Sequence, residues 1–124
     1  MSNKEEGYYY SYKLFKSIKE HNSKKLEILN DVMNDAIKEE AHEYIINICL
    51  DAIKACEFLS KRLSVIEDLR RSDNQIKGDK IALAGSEIEE IKEFGSEIEE
   101  YEILLAKQNL SVSFHWGVLN GKQR

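Results

Sequence analysis

A chain of 124 residues, 42% hydrophobic and 33% charged, is long enough for one core and too apolar to stay unfolded throughout. Its net charge of -5 at pH 7 comes without the concentrated basic surface that phosphate backbones require, so direct nucleic-acid binding is disfavoured. No run approaches the roughly 18–20 apolar residues needed to span a bilayer, and no Gly-rich phosphate loop, paired CxxC or HExxH gives a cofactor or a reaction an anchor.

Punctuation is sparse. The chain has no proline, and residues 8–77 contain no glycine. Glycine frees the backbone and proline forbids helical hydrogen bonding, so their absence predicts long helices. Residues 1–7 are polar and read as a loose end. Residues 8–108 read as the helical core and residues 109–124 as a tail, all within one domain.

At residues 8–20 two periods compete. Tyr8, Tyr12 and Phe15 follow helical spacing, while Tyr8, Tyr10, Tyr12 and Leu14 alternate as in a strand. The helical period continues past Lys16, so a helix is the preferred reading. His21-Asn22-Ser23 reads as a junction at which Asn22 or Ser23 caps a new helix. From there an apolar stripe in steps of three and four runs from Leu26 to Ile66, with a break near Asn34-Asp35 left open. Between residues 44 and 59 the stripe broadens to two faces. A helix that is apolar on two sides is covered on two sides. Other helices of the chain or a second copy can provide that cover, and since one hairpin and a short helix barely suffice, homo-oligomerisation is predicted through Tyr44, Ile45, Ile48, Ala52, Cys56 and Leu59. Cys49 and Cys56 are seven residues apart, about 10.5 Å along one helix. A disulfide needs Cα atoms within about 7 Å. They read as buried small apolar residues in a reducing, cytoplasmic compartment.

The polar run at residues 71–75, closed by Lys77-Gly78-Asp79, is the strongest turn signal. A helix is then predicted to return through Ile81, Ile88, Ile91, Ile98 and Leu105. It carries one repeat: Gly85-Ser86-Glu87-Ile88-Glu89-Glu90 recurs ten residues later. The expected outcome is a continuous helix with a kink at Gly85-Ser86. In the tail, Leu110, Val112, Phe114, Trp116 and Val118 alternate with Ser, His and Gly. That is strand periodicity, although a strap over the helices or a short helix remains open.

The fold class is therefore all-α: an antiparallel helical hairpin or three- to four-helix bundle with coiled-coil-like packing and a short non-helical or strand-like tail. Three functional readings follow. The leading one is a non-enzymatic protein–protein interaction module without cofactor, which self-associates and binds a basic protein partner. Residues 81–106 hold eight Glu against one Lys, and Glu87, Glu90, Glu93, Glu97 and Glu100 form the expected partner-binding row. The second is an acidic inhibitor whose carboxylates stand where a nucleic-acid enzyme expects phosphates. The third is a ferritin-like di-metal bundle. Glu39 and His42 make a Glu-x-x-His pair, with Glu27 or Glu43 as further ligands. The competing explanation of that pair is a solvated, charged helix face.

Overall fold

The computed structural model describes residues 8–108. Strand β1 (Tyr8–Ser11) leads into α1 (Tyr12–Lys38), and α2 (Glu43–Ser72) runs back beside it. Strands β2 (Ile76–Lys77) and β3 (Lys80–Leu83) follow, and α3 (Gly85–Gln108) closes the described chain. The described residues are thus mostly helical, with one small antiparallel sheet of order β1-β3-β2. Helix α2 packs against both α1 and α3.

Residues 8–11 form a strand, not the preferred helix. Tyr8 pairs with Leu83 and Tyr10 with Ile81. The alternation of the tyrosines was therefore the operative signal, and β3 supplied the partner. Ile81 belongs to that strand and not to the returning helix. The chain changes direction at Gly78, which has φ 60. A glycine with positive φ at the first central position of a two-residue turn matches the twist of a hairpin.

The helix boundaries shift in three places. No junction interrupts residues 21–23, because the Asn22 side chain is satisfied elsewhere. Its Nδ2 donates to the Cys56 carbonyl and to Ser60 Oγ, both at 2.9 Å. The break between α1 and α2 falls at residues 39–42. There Glu40 takes φ 56, and the amides of Glu40 and Ala41 return to the carbonyls of Ile37 and Ala36. This is the left-handed C-terminal motif that glycine usually occupies. The same motif ends α2, where Asn74 has φ 57 and Gln75 donates to the Arg70 carbonyl at 2.7 Å. Finally, Gly85 starts α3 instead of kinking it. The Glu87 carboxylate accepts the Ala84 amide at 2.8 Å, half of a capping box. Gly95 lies within the continuous helix, as expected.

The core follows the stripe. Leu29 and Val32 of α1, Cys49, Cys56, Leu63 and Ile66 of α2, Ile81 of β3, and Ile98 and Leu105 of α3 are almost wholly removed from water. Each large side chain so buried stabilises the fold by about 1.5–3 kcal/mol. The expected oligomer interface is part of this core. Ile48, Ala52, Cys56 and Leu59 are buried within a single chain, Ile45 is half-buried, and only Tyr44 is exposed. Helices α1 and α3 cover both sides of α2, the task the sequence reading gave to a second copy.

The hairpin also secures the start of α1. Ser11 Oγ accepts the Leu14 amide at 3.1 Å. Asp79 does more, although it stands 68 residues away in the chain. Its carbonyl accepts the Tyr12 amide and its Oδ1 accepts the Lys13 amide, both at 2.8 Å. A carboxylate here satisfies amides that lack helical partners and lies at the positive end of the helix dipole. Replacing Asp79 with Ala is expected to cost about 1 kcal/mol, in the range of lost N-caps. A urea midpoint unchanged from wild type would show that Asp79 contributes nothing.

Candidate functional site

Helix α3 sorts its glutamates by direction. Three point toward the other helices and meet a cation. Glu87 pairs with Arg70 of α2. Glu90 pairs with Arg62 of α2 at 2.9 Å, and Glu102 with Lys25 of α1 at 2.7 Å. Glu87 and Glu102 are buried. A charge out of water is tolerated only when paired, so these residues belong to the scaffold. Of the expected partner-binding row, Glu87 is thus part of the scaffold, and Glu90 is held by Arg62 in a half-exposed pair.

Glu93, Glu97 and Glu100 are exposed. With Glu89, Lys92 and Ser96 they line a shallow, open depression of about 430 Å³. Among the described residues no ion pair reaches Glu89, Glu93, Glu97 or Glu100. Phe58 of α2 stacks on Phe94 of α3 with ring centroids 6.0 Å apart, and Phe58 is 65% exposed. On the same helix the Tyr101 hydroxyl donates to Glu97 at 3.3 Å. Burial, then the charges of Glu97 and Asp51, push its pKa up, so Tyr101 keeps its proton and remains a donor. The helix of the acidic surface therefore also carries Phe94 and Tyr101, of which Phe94 stacks on Phe58 of α2.

The metal pair does not assemble. Glu39 is the C-cap of α1, whereas His42 is the N-cap of α2, so the helical face that an i, i+3 pair needs is absent. His42 Nδ1 accepts the Tyr44 amide at 3.1 Å. Glu27 sits exposed along α1, and Glu43 opens α2. Among the described residues no three His, Cys, Asp or Glu side chains converge on a point where an ion would sit.

Two features had no signal in the sequence. The first is a polar cluster joining α1 to the end of α2. Glu67, 7% exposed, accepts a hydrogen bond from the Tyr12 hydroxyl and lies 2.5 Å from Lys19 Nζ. Arg71 Nη2 donates to the Tyr12 hydroxyl at 2.9 Å. The second is a groove between α1 and α3, floored by α2. One hollow of about 320 Å³ is lined by Ser17, Ile18, His21, Asn22, Lys25, Leu59, Ile91, Gly95 and Ile98. A smaller hollow of about 180 Å³ toward the sheet, lined by Tyr10, Leu14, Phe15, Leu83 and Ile88, shares Ile18 and Ile91 with it. Both features combine residues from distant parts of the chain, which a local spacing rule does not detect.

Cys49 and Cys56 are free and buried, and burial pushes both thiols up to about 11. Thiols so protonated are poor nucleophiles. No helix among the described residues is long and apolar enough to cross a membrane. No protein-family model, curated protein or solved structure matches the chain.

Proposed function

We propose that the protein acts by binding and not by catalysis, as a small helical scaffold that presents the outer face of α3 to a basic protein partner. The observation that carries this reading is the sorting of the α3 glutamates. Arg62, Arg70 and Lys25 neutralise the inward carboxylates. Glu89, Glu93, Glu97 and Glu100 face water with Lys92 as the cation among them. Such a field steers a basic partner toward the face. Phe58 and Phe94 add apolar area that binding would remove from water. The groups suited to chemistry are already engaged: the thiols are buried, His42 caps α2, and Glu67 sits in its polar cluster. A nucleic-acid enzyme with a basic cleft is one kind of partner this face fits, so the inhibitor reading is a special case of the same proposal. Self-association through Ile48, Ala52, Cys56 and Leu59 is not part of it, because α1 and α3 cover those side chains.

The test uses a lysine-rich amphipathic peptide as probe and two variants with the same change in net charge. One replaces Glu93, Glu97 and Glu100 with Gln. The other replaces Glu20, Glu27 and Asp31 of α1 with their amides. Exposed ion pairs contribute about 0.2–1 kcal/mol each. Losing three should weaken binding at low salt by about tenfold, with the difference shrinking as salt is added. The α1 variant should bind close to wild type. Equal losses in both would reduce the effect to net charge and end the proposal of a site on α3.

A further inference from the structure

We propose that the groove between α1 and α3 binds a single-chain aliphatic monocarboxylate, its head beside Lys25 and His21 and its chain directed toward the sheet. Polarity changes along the groove. The larger hollow, about 320 Å³, is at the lower end of ordinary ligand pockets. It is lined by His21, Asn22 and Lys25 from α1 and by Ile91 and Ile98 from α3. The hollow toward the sheet is lined by Leu14, Phe15, Leu83 and Ile88. At its edge Ser11 Oγ is held in the cap of α1, and Lys92 also borders the acidic depression. Ile18 and Ile91 line both hollows and join them. A polar end and an apolar end, connected by aliphatic side chains, suit an amphiphile. The apolar part is still wet: Leu14 is 58% exposed, and Ile18, Ile88 and Ile91 are only half-buried. An aliphatic chain laid there would take both itself and these side chains out of water.

The charges select the head. The net charge of the chain is -5, yet among the described residues no Asp or Glu lines either hollow. The Lys25 side chain is 15% exposed, and its Nζ lies 2.7 Å from Glu102, which does not line the hollow. An ammonium has three N–H donors, so one carboxylate partner leaves donors for a second. Asn22, 4% exposed, is fixed by its two bonds to α2, so the polar end is a built wall. A carboxylate head gains charge-assisted hydrogen bonds there.

The groove also sets a length. From the level of Lys25 back to that of Leu14, α1 covers about 16 Å at about 1.5 Å per residue. Carbon–carbon bonds of about 1.5 Å advance an extended chain by about 1.25 Å each, so about 12 carbons span that distance.

The test is calorimetric titration of the full chain with octanoate, decanoate and dodecanoate below their micelle concentrations. Binding should tighten by up to about fourfold for each added methylene. Decanoate should bind about tenfold more tightly than decanol. Lys25→Met combined with Glu102→Gln leaves no buried charge unpaired and should erase that preference, whereas Lys92→Gln should keep it. A Cβ at Gly95 would meet nothing within 4 Å, and the residue lines the larger hollow. Gly95→Leu should therefore fill the space and weaken decanoate by about tenfold, with the helical circular dichroism at the wild-type level. If the double variant does not fold, Gly95→Leu and the chain-length series still decide. No binding of decanoate at millimolar concentration overturns the proposal, as does affinity independent of chain length or equal affinity for decanol. A preference lost in Lys92→Gln and kept in the double variant overturns the assigned direction. Unchanged binding to Gly95→Leu puts the ligand elsewhere and overturns the site. Retention on vesicles of a two-chain anionic phospholipid, without binding of free decanoate, would give the polar end to a membrane surface and overturn the proposal too.

Discussion

Replacing Ile48 with Asp is expected to unfold the isolated chain and not to release a folded monomer. Ile48 is 6% exposed within one protomer and belongs to the apolar cluster shared by the three helices. The substitution removes about 2 kcal/mol of apolar burial. It also leaves a carboxylate without a partner in a place that water does not reach, which costs several kcal/mol more. Domains of this size are stable by about 5–15 kcal/mol in total, so the change takes most of that away. Circular dichroism should show the helical signal lost or its melting shifted far down. Tyr44→Asp is the control. Tyr44 is 51% exposed, and surface changes of this kind usually stay within about 0.5 kcal/mol. A folded, fully helical Ile48→Asp monomer would mean that the residue faces another subunit, and that α1 does not cover α2 as described.

The second large effect centres on Glu67. Removing its carboxylate leaves Lys19 without a counter-charge, Arg71 with only the exposed Asp68 at 3.8 Å, and the Tyr12 hydroxyl without its acceptor. Breaking a buried pair costs about 3–5 kcal/mol. Arg71 is 60% and Lys19 30% exposed, and water screens part of the loss. Glu67→Ala is therefore expected to destabilise by about 2–3 kcal/mol. The pH dependence follows from the same geometry. Burial alone would push the Glu67 carboxyl up, but the Lys19 ammonium and the Tyr12 hydroxyl outweigh it, and the carboxyl is held below its ordinary value. A lowered carboxyl pKa gives stability that is fully present above the unfolded value of about 4.3 and is lost as pH falls through the lower folded value. At the other end, the bond to Glu67, followed by burial, raises the Tyr12 hydroxyl. Its contribution is complete below about pH 10 and is lost as pH rises through the higher folded value. Urea unfolding across pH 2–11 should show both limbs in the wild type and a flatter curve for Glu67→Ala. Parallel curves for the two proteins would remove Glu67 as their cause.

Much of the architecture can be read in the residues themselves. The long glycine-free stretch, the three- and four-step stripe and the turn at Gly78 are local signals, and each corresponds to an element. What stayed hidden depends on partners far along the chain or on an unusual occupant. The break after Lys38 has Glu40 in the left-handed position, where a reader looks for glycine or asparagine. Asn22 resembles a cap until its amide is seen between Cys56 and Ser60. Residues 8–15 show both periods, and only β3 decides that residues 8–11 are a strand. The acidic helix teaches the same lesson about sites. Spacing placed Glu87, Glu90, Glu93, Glu97 and Glu100 in one row, yet Arg62 and Arg70 of α2 determine which of them are scaffold and which remain outside.

The cap that Asp79 places on α1 bears on the order in which the molecule assembles. Ser11 and Asp79 are 68 positions apart, and closing a flexible loop of that length costs about 4 kcal/mol of chain entropy. The α2–hairpin–α3 unit has no such loop to close, since β2 and β3 join across a two-residue turn and Arg70 reaches Glu87 only 17 residues on. Local contacts form before distant ones repay their entropy. During synthesis α1 leaves the ribosome first, but its opening turn waits for residue 79 to follow before it is secured. Until then its first amides are held by Ser11 and by water, and the apolar side of α1 has only α2 to lean on.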